Sequence, residues 1–108
     1  MNEKESDIQN SICEYLSYRS RCFFRVNNIP AHNRNSDGSI TMRRLPKYTP
    51  KGLPDIIVVA GGIFWGLEVK KKGSYQSKEQ KEFEEWVRKH GGNYAVVRSV
   101  DDVQALGL

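Results

Sequence analysis

Two neighbouring segments of the chain combine charged side chains with the alternating pattern of β-strands, and these charged residues are the candidates for chemistry. Glu68 and Lys70 lie two residues apart in the second segment, Ile63 to Lys70. Because alternate side chains of a strand share a face, this carboxylate and this amine project side by side. A second carboxylate, Asp55, follows Pro54 at the start of the first segment. Such a group is suited to binding a metal ion and to moving protons.

The pair Gly61–Gly62 predicts a two-residue turn that joins these segments into a β-hairpin. Pairing around this turn places Ala60 opposite Ile63, and counting back along both strands places Asp55 opposite Glu68. Residues that face each other across antiparallel strands have Cβ atoms about 5 Å apart, and like charges at that distance are destabilising. We therefore expect the repulsion between these two carboxylates to be compensated.

A hard divalent cation, Mg²⁺ or Mn²⁺, provides this compensation, because it prefers oxygen ligands and accepts water and phosphate oxygens as well. The predicted ligands are the carboxylates of Asp55 and Glu68 and the backbone carbonyl of Val69. Lys70 would hold or deprotonate the attacking water, or offset the charge of the transition state. These residues predict hydrolysis of phosphodiester bonds. The alternative is an exposed pair, Glu68 and Lys70, beside a turn residue, and the cross-strand position of Asp55 favours the metal site.

The rest of the chain supplies the elements that must position this hairpin. Helices are predicted where apolar residues recur every three or four positions after a capping box, and strands where β-branched and aromatic residues cluster. In chain order these are a helix from Ser6 to about Tyr18, a strand at Cys22–Val26, the hairpin, a helix opened by Ser77 and ended by Gly91, a strand at Asn93–Arg98 and a short helix after Ser99. This order predicts a single domain, 1–108, with an α/β fold in which a mixed β-sheet is flanked by helices.

A long segment at about 28–54 lacks any sustained period and predicts a loop. From Asn28 to Lys51 it holds five basic residues and one acidic residue, so its net charge equals the +4 of the whole chain. This concentration of charge is typical of a contact with a polyanion such as DNA. The predicted DNA-binding residues are Arg25, expected on the active-site face of its strand, and Arg34, Arg43, Arg44, Lys47, Lys51, Lys71 and Lys72. The alternatives are a solvated loop, solvated lysines, and an Arg25 that covers the sheet edge.

Three motifs with charged or polar residues stand in a fixed order along the chain. They are Gly-x-Pro-Asp ending at Asp55, Glu-x-Lys from Glu68 to Lys70, and Ser-x-x-Gln from Ser77 to Gln80. With this combination the chain resembles the PD-(D/E)XK nuclease superfamily, and within it the VRR-NUC (virus-type replication-repair nuclease) family, over nearly its whole length. The resemblance implies a restriction-endonuclease-like αβββαβ core and a metal-dependent endonuclease with Asp55, Glu68 and Lys70 as its catalytic core.

The resemblance also implies site roles for Glu5 and Gln80, each with a structural alternative. Glu5 corresponds to the acidic residue that the first helix offers to the metal site in these nucleases. A helix capped by Ser6 would instead leave Glu5 outside the helix and solvated. Gln80 is implied to act at the catalytic site, whereas as the third residue of its helix it is expected to close a capping box with Ser77. The two roles of Gln80 are compatible.

The activity that the resemblance implies is a structure-selective DNA endonuclease that uses Mg²⁺ or Mn²⁺. Stand-alone members of this kind are similar to Holliday-junction resolvases, which implies branched DNA as the substrate and a two-fold homodimer. The alternatives are a flap or single-strand nuclease, an endoribonuclease, and a catalytically silent nucleic-acid-binding module of a replication or repair complex.

Hydropathy argues against a membrane or secreted protein. The mean hydropathy is -0.64 and the first residues are charged. No apolar run approaches the ~20 residues that span a bilayer. We therefore expect a cytoplasmic protein, or one in the host-cell cytoplasm if the chain is viral, without a membrane partner.

Overall fold

The computed structural model describes residues 4–26, 32–34, 36–42 and 46–108, and for 32–34 and 40–42 it describes the backbone alone. The helices are α1 (Glu5–Tyr18), α2 (Lys78–Lys89) and α3 (Val100–Ala105). The strands are β1 (Cys22–Arg25), β2 (His32–Arg34), β3 (Ile40–Met42), β4 (Ile56–Ala60), β5 (Ile63–Val69) and β6 (Asn93–Val97). Within these described ranges, no helix is both long enough and apolar enough to cross a membrane.

The central sheet has the strand order β1-β4-β5-β6. β4 pairs antiparallel with both β1 and β5, and β6 lies parallel to β5 after the crossover through α2. These pairings make the sheet mixed, and helices flank it. The predicted fold class and the αβββαβ order of the core are therefore confirmed.

A second, two-stranded sheet of β2 and β3 lies within the segment that the sequence predicts to be a loop. Its turn is built on Asp37, whose Oδ1 accepts hydrogen bonds from the backbone N–H of Ser39 at 2.9 Å and from the Ser39 hydroxyl at 2.6 Å. Gly38 has φ 88°, a conformation that favours glycine. Strands of three residues are too short to show alternation in a sequence, so the prediction of a loop was wrong at these positions.

Different helices cover the two faces of the central sheet. α1 places Ile8, Ile12 and Leu16 at steps of four residues, so they form one buried stripe against the first face. The buried cluster on this face is completed by Ile56, Val58, Leu67, Val69, Val97, Val103 and Leu108. α2 covers the opposite face, where Phe83 packs on Tyr94 of β6. Successive side chains of β5 therefore point alternately to the apolar core beneath α1 and to the face covered by α2.

Candidate active site

The β4–β5 hairpin has the predicted register, with Ala60 opposite Ile63. The last pair of the two strands is Ile56 and Leu67. Asp55 lies just before β4 and continues the contacts with β5. Its backbone N–H donates to the carbonyl of Leu67 at 3.0 Å, and its Oδ2 accepts a hydrogen bond from the N–H of Val69 at 2.7 Å. The Asp55 carboxylate is therefore anchored at the end of β5 by the backbone of that strand.

The residues before Asp55 explain how the chain arrives at this position. Gly52 has φ 74°, which glycine adopts without steric cost. A Cβ added at Gly52 would lie 2.4 Å from the backbone of Glu79, so only glycine lets the chain pass this close to the first turn of α2. Pro54 follows, buried, with a fixed φ. The Gly-x-Pro-Asp motif thus works through the backbone: it carries the chain from the first turn of α2, beside Gly52, to the end of β5, where Asp55 binds.

Glu68 is 1% exposed, and hydrogen bonds reach both of its carboxyl oxygens. Gln80 of α2 donates from Nε2 to Oε1 at 2.7 Å, and the hydroxyl of Tyr94 in β6 donates to Oε2 at 3.0 Å. The Nζ of Lys70 lies 3.7 Å from Oε1. The structure thus brings the four predicted catalytic residues together at the C-terminal end of β5: Asp55, Glu68, Lys70 and Gln80.

Burial and a neighbouring carboxylate control the protonation of Glu68. Removal from water disfavours its charged form, and the charge of Asp55 and a hydrogen bond between the two carboxyl groups act in the same direction. The Tyr94 hydrogen bond and the charge of Lys70 oppose this in part, and the pKa of Glu68 rises to about 8. At pH 7 the metal-free protein therefore keeps Glu68 largely protonated, which relieves the repulsion expected in the hairpin.

The oxygen atoms around Asp55 and Glu68 fit a divalent cation. The N–H and C=O of one strand residue point to the same side, so the carbonyl of Val69 points to the edge of β5 at which its N–H binds Asp55. Two carboxylates and a carbonyl form an all-oxygen donor set, which Mg²⁺ and Mn²⁺ prefer. Among the described residues, no group of three or more His, Cys, Asp or Glu side chains is gathered for a metal. Asp55, Glu68 and Val69 are thus the residues that would hold the metal at this site.

Glu5 lies beside the chain that leaves β5, and its Oε2 accepts a hydrogen bond from the backbone N–H of Lys71 at 3.2 Å. It does not form a three-carboxylate group with the two acidic residues of the hairpin. The predicted N-cap at Ser6 was wrong, because the carbonyl of Lys4 already accepts the N–H of Ile8 and α1 begins at Glu5. Contact between Glu5 and a metal ion stays a prediction.

The structural role and the site role of Gln80 occur together. The side-chain Oε1 of Gln80 accepts a hydrogen bond from the backbone N–H of Ser77 at 2.8 Å. The backbone N–H of Gln80 donates to the Ser77 hydroxyl at 3.2 Å, so the predicted capping box is confirmed. At the same time its Nε2 donates to Glu68. One amide serves both contacts because its oxygen accepts and its nitrogen donates. The capping box therefore fixes the side chain that holds Glu68.

The described lysines predicted to bind DNA are all exposed: Lys47, Lys51, Lys71 and Lys72. Lys71 and Lys72 follow the site directly, in the loop between β5 and α2. Arg98 anchors this loop, since it donates to the backbone carbonyls of Lys71 at 2.6 Å and Ser74 at 2.9 Å. Arg43, Arg44 and the side chain of Arg34 lie outside the described residues.

Arg25 lies on the sheet face opposite Glu68, so the prediction that it shares the active-site face was wrong. Arg25 pairs with Ile56, which pairs in turn with Leu67, and cross-strand partners share a face. Leu67 and Glu68 are consecutive and therefore point to opposite faces. The Arg25 guanidinium donates instead to the side-chain oxygens of Gln9–Asn10 in α1, at 3.0 and 3.1 Å.

Tyr94 is the site residue that sequence reasoning missed. The sequence predicts a buried strand around it but not the register of that strand, which places Tyr94 beside Gly66 and on the face of Glu68. A tyrosine in a buried strand was a usable signal, because its hydroxyl needs a hydrogen-bond partner. Burial and the charge of Glu68 raise the pKa of Tyr94, so its hydroxyl keeps its proton and donates.

Fold and site together define an α/β domain with a restriction-endonuclease-like core and a carboxyl pair at the end of β5. A solved structure named "VRR_NUC domain" is similar to this chain with a TM-score of 0.64 and 23% sequence identity, over 94% of this chain and 91% of that chain. Another, named "VRR_NUC domain protein", has a TM-score of 0.66 and 20% identity, over 98% of this chain and 86% of that chain. The chain therefore has the VRR_NUC fold that the resemblance implies. No family model and no curated protein matches the sequence.

Proposed function

We propose that the protein is a metal-dependent DNA endonuclease that hydrolyses phosphodiester bonds. The observation that supports this most directly is the coupled carboxyl pair of Asp55 and Glu68, with the Nζ of Lys70 3.7 Å from Glu68, on a VRR_NUC fold. In this proposal Asp55, Glu68 and the carbonyl of Val69 hold Mg²⁺ or Mn²⁺. Glu5 would contact the metal or its water ligands from the start of α1.

Two side chains beside the carboxyl pair have separate proposed roles: Lys70 acts on water and phosphate, and Gln80 holds Glu68. A divalent ion at this site supplies Lewis acidity toward water and the scissile phosphate. The Nζ of Lys70 lies 3.7 Å from the buried carboxyl group of Glu68, and the Lys70 side chain is 15% exposed. There its ammonium group orients the attacking water and stabilises the negative charge that develops on the phosphate. Gln80 holds Glu68 from the first turn of α2.

DNA is the proposed substrate, bound through its phosphates. The charge comes from exposed lysines and from the arginines of the segment at about 28–54: Lys47, Lys51, Lys71, Lys72, Arg34, Arg43 and Arg44. Phosphate contacts carry no direct sequence information, so DNA structure rather than base sequence would select the cleavage site. We propose a branched substrate of the Holliday-junction type, cut by a two-fold homodimer whose two sites act on two strands.

The test compares the unmodified protein with Asp55→Asn and with the control Glu85→Gln. Glu85 is an exposed carboxylate of α2, so its neutralisation changes the net charge equally without altering the site. Labelled four-way junction, flap, duplex and single-stranded DNA, and RNA of the same sequences, are incubated with Mg²⁺, Mn²⁺ or EDTA. We expect metal-dependent DNA cleavage that is lost in Asp55→Asn and kept in Glu85→Gln.

Each other outcome replaces a defined part of the proposal. Binding without cleavage in either metal would overturn the nuclease and leave a nucleic-acid-binding module. Cleavage of RNA but not of DNA would make RNA the substrate instead of DNA. Paired symmetric cuts in the four-way junction, with a dimeric mass by light scattering, support the resolvase activity. Preference for flaps or single strands, or a monomeric mass, would overturn that part alone.

A further inference from the structure

We propose that Tyr94 is a positioning residue that fixes the carboxyl group of Glu68 for a divalent cation, and that Gly66 is required to let the Tyr94 ring reach it. This inference rests on the proposed function, because it assigns a task to Tyr94 in the same metal site. Tyr94 lies in β6, which follows the hairpin in the chain after the crossover through α2.

Tyr94 donates the second of two hydrogen bonds that hold the carboxyl group of Glu68. The terminal torsion of a Glu side chain is broad, so a single hydrogen bond leaves the carboxyl plane free to rotate. Here Gln80 holds Oε1 at 2.7 Å and the Tyr94 hydroxyl holds Oε2 at 3.0 Å, from two different elements. Each carboxylate oxygen has two lone pairs, so these two hydrogen bonds leave one on each oxygen, for the proton shared with Asp55 in the metal-free protein and for a cation when one binds. Two donors on two oxygens thus set the plane in which Glu68 offers its remaining lone pairs.

Gly66 gives the Tyr94 ring the space that this contact needs. The two residues are partners in the parallel β5–β6 register, and Glu68 lies two residues further along the same face of β5. A Cβ on Gly66 would lie 2.9 Å from Cδ2 and 3.2 Å from Cε2 of Tyr94, and 3.2 Å from Cγ of Pro54. The φ of Gly66 is not in the left-handed region that requires glycine. Space for the ring, rather than backbone conformation, therefore explains the glycine.

The Tyr94 ring is confined from the other side as well. Phe83 of α2 is 8% exposed and packs on it with ring centroids 6.3 Å apart and planes tilted by 60°. Arg88 of α2 donates to the backbone carbonyl of Tyr94 at 2.6 Å. The side chain of Gln76 also interacts with the hydroxyl. A ring packed between β5 and α2 has little freedom, so its hydroxyl stays at one position relative to Glu68.

The first experiment removes the hydroxyl and keeps the ring. Partners that orient a metal ligand usually contribute 10- to 100-fold to metal affinity. Tyr94→Phe is therefore expected to weaken Mn²⁺ binding by about 10-fold or more, measured by electron paramagnetic resonance of free Mn²⁺. The matched control is Tyr18→Phe, which removes the hydroxyl of a tyrosine that is 90% exposed on α1 and should leave Mn²⁺ affinity unchanged. The melting temperature in EDTA is measured for each variant to separate positioning from stability.

The second experiment displaces the ring and keeps the hydroxyl. Gly66→Ala should weaken Mn²⁺ binding, and the double variant with Tyr94→Phe should bind about as well as Tyr94→Phe alone, because both changes remove one contact. Gly92→Ala is the steric control, since its Cβ would lie 2.7 Å from the side chain of Val87 instead. It should lower the melting temperature without selective loss of Mn²⁺ affinity.

The outcomes separate this inference from the proposed function. If Tyr94→Phe binds Mn²⁺ within twofold of the unmodified protein, the positioning role is overturned, whether or not DNA is cut. If Mn²⁺ affinity falls as expected but the unmodified protein cuts no nucleic acid, the positioning role stands and the nuclease falls. If the unmodified protein binds no Mn²⁺, both are overturned. Should Gly66→Ala fail to fold, Tyr94→Phe decides alone.

Discussion

Leu67 and Glu68 are neighbours in β5 and are both buried, yet they lie on opposite faces of the sheet in opposite surroundings. Leu67 packs into the apolar cluster beneath α1 and α3. Glu68 lies among hydrogen-bond donors from α2 and β6. On the first face burial stabilises the fold, whereas on the second it raises the pKa of a carboxyl group. Because successive side chains of β5 point to opposite faces, one face serves stability and the other serves the site. Substitutions on the first face should therefore change stability, and substitutions on the second should change activity.

The largest effect is expected for the polar face. Glu68→Gln removes a proposed metal ligand, so cleavage should fall by at least about 100-fold, the upper end of what partners of a metal ligand contribute. Because Gln has the shape of a protonated Glu, the variant should unfold in EDTA at or above the temperature of the unmodified protein. Cleavage assays and thermal unfolding check the two halves. Full cleavage by Glu68→Gln would place the metal site elsewhere.

The reverse pattern is expected for the apolar face. Leu67→Ala leaves a cavity beneath α1 and should lower the free energy of unfolding by about 2–5 kcal/mol. Cleavage per folded molecule should change little, because the side chain points away from the carboxyl pair. Urea unfolding measures the first quantity, and the fraction folded corrects the second. A loss of cleavage larger than the loss of folded protein would contradict the separation of the two faces.

Stability of the metal-free protein should depend on pH through Glu68. Its pKa is about 8 when folded, above the ordinary value of 4.5, so between these values the folded state holds more protons than the unfolded state. Stability in EDTA should therefore fall as pH rises from about 5 to 8, by at most about 1.4 kcal/mol per pH unit from this group. Urea unfolding across this range should show a flatter profile for Glu68→Gln. Parallel profiles would mean that Glu68 is charged in the folded protein.

A smaller effect is expected outside the buried site. Lys72 is exposed in the loop beyond β5, and Lys72→Ala should weaken DNA binding and reduce the slope of log affinity against log salt by about 0.9. Lys89→Ala, at the exposed end of α2, is the matched control and should leave the slope unchanged. Fluorescence anisotropy at several salt concentrations measures both. Equal slopes in the two variants would make Lys72 a solvated lysine.

The smallest effect is expected for Arg25. Its two hydrogen bonds to α1 are exposed, so Arg25→Ala should change stability by about 1 kcal/mol or less. The salt dependence of DNA binding should not change, because the side chain lies on the apolar face of the sheet with Leu67 rather than with Glu68. Anisotropy and urea unfolding test this. A reduced salt slope would return Arg25 to the DNA-binding surface.

Local patterns account for what could be predicted. The Gly61–Gly62 turn and strand alternation are enough to place Asp55 beside Glu68, because a hairpin register depends on adjacent residues. The capping box that fixes Gln80 is equally local. The β2–β3 pair was missed because three-residue strands leave no period.

The sequence by itself determined the order of the core elements, the hairpin register and the presence of two carboxylates and an amine at one strand end. Tertiary structure alone decided that Glu68 is buried, that Tyr94 reaches it over Gly66 and that Arg25 faces α1. These features depend on how β1 and β6 pair with the hairpin and how α2 crosses it. Such pairings join residues distant in the chain, and no short-range spacing encodes their register.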